Sequence, residues 1–264
     1  MSGRRPPAWS APVAIFAAGL AAWEAAVALG WLRPIQFPPP TRLADTAFEL
    51  AFEGFPGGVT LADHVVVTCL RVLAGFAAAV ALAVPLGVLI GRNPWLDRAS
   101  APVVAFCRSV ATLSLLPLAV VWFGAGEGAR LFLIGYGCFW VMLSAAIAAI
   151  KLVDPVLVDA ARTMDTPPRR LFLEVVLPAA APRLAAGART SLGVGFMVIV
   201  GAEMIGTLRG LGALIMEART FYRSDITMVG MAVIGAVGLA LAWGLGRLET
   251  WLLPWRAREP GGGA

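Results

Sequence analysis

Few residues in this chain could do covalent chemistry. His64 is the single histidine, and Cys69, Cys107 and Cys138 form no C-x-x-C pair. No Ser/His/Asp or Cys/His nucleophile set can be assembled from them. The cysteines lie within or beside apolar runs and read as packing residues. His64 reads as a polar residue at the external end of an apolar segment. The sequence also lacks G-x-x-x-x-G-K-[ST], so it carries no phosphate-cradling loop to bind ATP. The remaining chemical candidates are ionisable groups inside apolar stretches: Glu24, Arg108, Arg189 and Glu203. In a membrane such groups are functional candidates by default. Arg108, with Ser109 and Thr112, could face a polar path between apolar segments and receive an oxyanion, because a guanidinium matches that geometry. Glu203 joins them as a path candidate. The plainer alternative has Arg108 snorkelling to the inner surface while Arg189 and Glu203 make structural pairs with neighbouring helices.

The most patterned segment is 154–182, basic and punctuated by proline, between two strongly apolar blocks. Asp154-Pro155 predicts a helix start: a capping oxygen, then a residue whose missing N–H is harmless in the first turn. Thr166-Pro167 predicts a second start. Val153, Leu157, Ala160, Ala161 and Met164 share one helical face, as do Leu171, Phe172, Val175 and Val176. Two short amphipathic helices follow, joined at Asp165, whose short side chain tolerates a left-handed backbone. Pro178 predicts that the second helix stops at Leu177. Ala160 and Ala161 allow close approach, Asp159, Arg162, Arg169 and Arg170 supply charge, and the apolar faces stay with the chain's own helices. Spacing alone leaves open a docking handle or a hairpin lying on lipid head groups.

The elements that must hold these residues are membrane spans. The 264 residues are 59% hydrophobic and 14% charged, with mean hydropathy +0.81, against ~25% charged in soluble domains. The net charge of +5 does not point to nucleic acid, because the cations flank apolar runs as topology signals do. The chain is therefore expected to be an all-α integral membrane protein with six transmembrane helices. Span one, 11–32, is long enough to cross a ~30 Å core, and 1–10 is a cytoplasmic N-terminus. The connection 33–63 holds an interfacial helix capped by Thr41, with Leu43, Ala47, Leu50 and Ala51 on its apolar side. Span two has an uncharged core at 72–91 bracketed by Arg71 and Arg92, with Gly87 and Gly91 at G-x-x-x-G spacing. Span three, 101–123, is expected to bend at Pro117, and 124–130 is an external turn. Span four is 131–150. Span five, from Pro182 to about 205, carries a small-residue ridge of Gly187, Ser191 and Gly195. Span six, 226–246, carries Ala232, Ala236, Ala240 and Gly244. Residues 256–264 form a flexible C-terminal tail.

Charge sets the orientation. With the N-terminus inside, Arg4, Arg5, Arg92, Arg98, Lys151, Arg162, Arg169, Arg170, Arg183, Arg247, Arg256 and Arg258 are cytoplasmic, against Arg33, Arg42, Arg130, Arg209, Arg219 and Arg223 outside. This two-to-one excess predicts cytoplasmic termini and a cytoplasmic hairpin.

At the hairpin a family resemblance becomes specific. Asp159-Ala160-Ala161, three residues, Asp165, nine residues, Val175, one residue, Leu177-Pro178 resembles the EAA loop of binding-protein-dependent ABC importer permeases. That loop reads Glu-Ala-Ala, three residues, Gly, nine residues, Ile, one residue, Leu-Pro. Asp159 stands for Glu and Asp165 for Gly. Leu70-Arg71-Val72-Leu73-Ala74-Gly75-Phe76, Leu116-Pro117-Leu118 with Trp122-Phe123-Gly124, and Ala202-Glu203-Met204-Ile205-Gly206 with Gly210-Leu211-Gly212 resemble the nitrate, taurine and alkanesulfonate branch, whose relatives also import pyrimidine precursors. The resemblance implies a type I ABC importer permease fold over 11–255 and a coupling-helix loop between spans four and five. Its implied partners are ABC ATPase subunits, an extracytoplasmic solute-binding protein, the lipid bilayer and a second permease copy, without nucleic acid. It implies a transport subunit in the cell inner membrane, not an enzyme, with no cofactor of its own. ATP is bound by the ATPase. On the loop, Asp159, Ala160, Ala161, Arg162, Asp165, Thr166, Arg169, Arg170, Leu177 and Pro178 are the expected docking residues. The rival is a secondary transporter driven by an ion gradient, which predicts inverted repeats and midplane carboxylates. No repeat is evident, and Glu24 and Glu203 lie toward span ends.

Overall fold

In a bilayer every backbone N–H and C=O must be satisfied internally, so long uncharged runs become helices. A computed structural model of the protein describes residues 10–255 and shows that outcome. The expectations for residues 1–9 of the N-terminal segment and for the 256–264 tail lie outside the described residues. The helices are α1 (Ser10–Ala28), α2 (Pro40–Phe52), α3 (Leu61–Arg92), α4 (Pro94–Ser109), α5 (Leu116–Phe123), α6 (Glu127–Lys151), α7 (Pro155–Thr163), α8 (Pro168–Arg170), α9 (Leu177–Glu203), α10 (Leu211–Thr220) and α11 (Ser224–Leu252).

Among the described residues four unbroken helical segments are long and apolar enough to cross a membrane: Leu61–Arg92, Glu127–Lys151, Pro168–Glu203 and Ser224–Leu252. The pair Pro94–Ser109 and Thr112–Phe123 adds a fifth if its bent halves count as one span. The apolar part of α1, Ala17–Ala28, is shorter. The six expected spans are thus four or five by this measure.

α6 is the central post. α3 and α9 lie along it, with α4 and α5 also touching it, and Val72, Leu133, Ile134, Cys138, Leu192 and Ile199 form the shared core. The close approach is built from small residues. A β-carbon on Gly87 would fall 2.5 Å from that of Ala146, and on Gly195 2.5 Å from the Cys138 sulfur. Ser191 Oγ donates to the Cys138 carbonyl at 2.9 Å. Both glycine-bearing ridges expected from the sequence, on spans two and five, are therefore helix contacts. The ridge on α11 is not: Ala232, Ala236, Ala240 and Gly244 are exposed in the single chain, because α11 meets α2, α9 and α10 through other residues.

Three expectations about helix ends are corrected. Span three breaks by 83° at residues 110–111, where both backbones are extended, and not at Pro117. Pro117 lies in the first turn of α5, where its missing N–H removes no bond. Pro178 does not end the second hairpin helix, which runs on into α9 through a π-helical stretch, Leu171–Val176. The wide turn, with the Leu177 N–H bonded to the Phe172 carbonyl, absorbs the clash a proline makes with the carbonyl four residues back. Span five therefore begins before Pro182, which sits inside α9. Finally, α2 starts at Pro40, with Pro39 in the capping position. The Thr41 hydroxyl and N–H instead donate to Glu24 of α1, at 2.9 and 3.3 Å. α2 rests on α11 through Leu43, Ala47 and Leu50, whereas Ala51 is exposed.

Candidate functional site

The 154–178 segment folds as the sequence predicts at its first helix and turn. Asp154 caps α7, accepting the Val156 N–H at 2.9 Å. α7 ends at Thr163, and Asp165 takes φ +52°, the left-handed conformation its side chain was expected to tolerate. Its N–H returns to the Arg162 carbonyl at 3.0 Å, and that of Thr166 to Ala161 at 3.4 Å. Thr166 does not cap the next helix: Pro167 occupies that position without a side-chain bond, and Pro168 opens α8.

The hairpin is tied to the bundle on one flank. Val158, Phe172 and Val176 pack on Ala149, Ile150, Val153 and Ala180. The Arg92 guanidinium lies 4.6 Å over the Phe172 ring, Arg183 Nη1 donates to the Leu152 carbonyl at 2.6 Å, and Lys151 Nζ donates to Asp97 at 2.6 Å. The other flank is open. Asp159 and Arg162, paired at 3.3 Å, are 70% and 66% exposed. Ala160, Asp165, Arg169 and Arg170 are exposed, while Ala161, Thr166, Leu177 and Pro178 are half-buried. The expectation that the apolar faces stay inside is only half met. Val156, Leu157, Met164 and Leu173 are exposed, because a single flank of α7 reaches the floor formed by α6 and α9. The free face thus mixes apolar side chains, alanine and charge, as a protein-docking surface does.

Arg108, Ser109 and Thr112 gather at the break in span three. Arg108 is exposed and lines a groove of ≈ 440 Å³ between α4 and α6, with Asp97, Ser100, Val104, Ser144 and Lys151. Ser109 spends its hydroxyl proton on the Ala105 carbonyl at 2.9 Å, and Thr112, half-buried, opens the 3-10 turn Thr112–Leu115 beside Gly137 of α6.

Glu203 belongs elsewhere. It is fully buried at the opposite end of the bundle, accepting from Thr68 Oγ1 at 2.9 Å, Arg71 Nη1 at 2.8 Å and the Gly212 N–H at 3.1 Å. Arg71 also holds Glu127 and donates to the Arg209 carbonyl at 2.7 Å. Arg130 Nη2 reaches the Gly206 carbonyl at 2.7 Å. His64, also buried, donates from Nε2 to Phe55 O at 2.9 Å and accepts the Gly210 N–H on Nδ1 at 3.0 Å. This clasp pins the 204–210 turn and the start of α10 onto α3, α6 and α9. The structure therefore removes Glu203 from the groove set and satisfies it structurally. Arg189 likewise pairs with Glu249 of α11. The clasp gives Arg71 and Arg130, expected as a flanking charge and an external-turn cation, partners within the bundle: both are buried. The signal was present, since Arg71, Arg130 and Glu203 interrupt apolar stretches with opposite charges, but nothing local names the partners.

Residues 83–257 match the family described as binding-protein-dependent transport system inner membrane component. The chain is 32% identical to the taurine transport system permease protein TauC of Escherichia coli (strain K12), over 89% of this chain and 86% of that permease. It is 29% identical to the putative aliphatic sulfonates transport permease protein SsuC of Bacillus subtilis (strain 168), over 96% and 90% of the two chains. A chain in an inward-facing structure of the MetNI methionine ABC transporter superposes with TM-score 0.63 at 20% identity, covering 74% of this chain and 94% of that one, a likeness of fold.

Proposed function

The chain belongs to the binding-protein-dependent transport system inner membrane components, and we propose that it forms the path of an ABC importer for small organic sulfonates of the taurine class. Membership makes it the permease component of an ABC transporter, multi-pass in the inner membrane and not itself an enzyme, with ATP handled by a partner ATPase and solute supplied by a binding protein. The taurine and aliphatic-sulfonate names of relatives at 29–32% identity support the solute class.

The observation that carries the mechanical part is the hairpin, anchored on one flank and open on the other, with its turn in the left-handed conformation at the position where the family pattern has glycine. In this reading Asp159, Ala160, Ala161 and Arg162 meet the ATPase, and Asp165, Thr166, Arg169, Arg170, Leu177 and Pro178 fix the angle of the handle. Closure of two ATPase subunits then tilts α6 and α9 through the hairpin and opens the path to alternate sides. α4 buries none of its residues within one chain, and the α11 ridge is exposed. Both faces suit a second copy of the permease. In this reading α1 and the broken pair make up six spans, and the cation excess supports a cytoplasmic side for the termini and the hairpin.

The test is Asp159→Lys, or deletion of residues 166–170, in the complex reconstituted with its ATPase and binding protein. Uptake should fall severely while ATP hydrolysis persists and the chain remains inserted; uptake at the parental rate removes the docking role. Unaided transport by the purified chain would favour the ion-gradient alternative.

A further inference from the structure

Accepting the importer reading, we propose that Arg108 is the oxyanion-recognising residue of the path, holding the anionic head of the solute in the groove between α4 and α6. The groove is ≈ 440 Å³, within the ~300–1,000 Å³ of small-molecule sites. It contains two cations, but Lys151 is neutralised by Asp97 at 2.6 Å. The hydroxyl protons are also committed, Ser100 to the Asp97 carbonyl and Ser144 to the carbonyls of Trp140 and Val141. Arg108 alone among the groove's charged side chains makes no hydrogen bond or ion pair among the described residues. Its planar fork of donors is the geometry that grips a sulfonate or another oxyanion through two parallel bonds.

Position adds a second argument. Arg108 is the penultimate residue of α4, immediately before the 83° break. Interrupted spans mark solute sites in membrane proteins, because irregular backbone survives there only beside protein or a water-filled cavity. A cation at such a break faces the cavity rather than lipid tails. A single fork without a closed cage also suits a path, where contact must be strong enough to admit the anion and weak enough to release it. The uncompensated phosphate of an anionic phospholipid carries the same chemistry, so the experiment has to separate the two sources.

The experiment measures uptake of labelled taurine into proteoliposomes holding this chain with its ATPase and binding protein. Arg108→Gln should lower maximal uptake roughly tenfold, as expected for loss of a charge-assisted bond, while the half-saturating concentration, set on the binding protein, stays fixed. Arg108→Lys, a point charge without the fork, should lose severalfold. Arg98→Gln, the same charge change on the same helix outside the groove, should transport at the parental rate. Each variant is run in phosphatidylcholine vesicles with and without phosphatidylglycerol. A deficit confined to phosphatidylglycerol vesicles assigns the guanidinium to lipid and overturns the proposal. So does parental uptake by Arg108→Gln, or by Arg108→Lys if the glutamine variant fails to assemble with the ATPase. A wild-type complex that imports none of taurine, ethanesulfonate and nitrate overturns the small-anion importer reading first, and this inference with it.

Discussion

Arg71 of α3 and Glu203 of α9 meet at 2.8 Å with the carboxylate wholly shielded from solvent. Breaking such a pair by removing one member leaves an uncompensated buried charge, at about 3–5 kcal/mol. Arg71→Leu and Glu203→Leu should each lower the thermal midpoint of the detergent-solubilised protein sharply. The double substitution should lower it by less than the sum, with a coupling above ~1 kcal/mol. Simple additivity would mean that the two groups do not depend on each other.

The contact of α9 with α6 makes a prediction of another kind. A β-carbon on Gly187 would stand 2.4 Å from that of Ala145, with the helix backbones already in place. Gly187→Ala should therefore destabilise the bundle by about 1–3 kcal/mol, as overpacking does, and Ala145→Gly should restore most of the loss. Gly193, with nothing within 4 Å of its added carbon, is the control: Gly193→Ala should be neutral or slightly stabilising. Unfolding midpoints of Gly187→Ala, of Gly187→Ala with Ala145→Gly, and of Gly193→Ala decide the matter.

Asp165 sits at φ +52°, where an L-residue with a β-carbon bears a penalty of about 1–2 kcal/mol. Asp165→Gly should relax the turn without loss of stability, and Asp165→Val, branched at that carbon, should cost more than 1 kcal/mol and slow uptake. If valine is tolerated in both assays, the left-handed turn has no mechanical importance.

The Arg92 contact over Phe172 is one strut between α3 and the hairpin. At a partly exposed site it contributes about 0.5–1 kcal/mol, so Phe172→Leu should scarcely change global stability. If force passes through this strut, solute moved per ATP hydrolysed should fall. Unchanged stoichiometry would place the transmission elsewhere.

What the sequence revealed follows the range of the forces involved. The hairpin was legible because caps, prolines and a left-handed turn are local: Asp154, Pro155 and Asp165 announce themselves within a few residues. The glycine ridges of α3 and α9 were legible for the same reason, as spacing on one helix face. The clasp was not, because it joins Arg71 to Glu127 and Glu203 across gaps of 56 and 132 residues. The 202–212 motif was visible only as a family signature. The structure gives its physical reason: a β-carbon on Gly210 would fall 2.3 Å from the Glu203 carboxyl carbon, and on Gly212 2.2 Å from the Val200 carbonyl oxygen. Pro117 and Pro178 both misled: Pro117, read as a bend, opens a helix, and Pro178, read as a stop, is accommodated by a wider turn.

That wider turn sets the azimuth of everything after it. A π-helical stretch holds one more residue than an α-helix of equal turns, and one residue corresponds to about 100° of rotation. The face bearing Gly187, Ser191 and Gly195 is thus aimed at α6 partly by the winding of Leu171–Val176. Winding the same residues as a regular α-helix would keep every side chain in the sequence yet swivel the ridge toward lipid, so the loop and the interior seam form one indexed shaft.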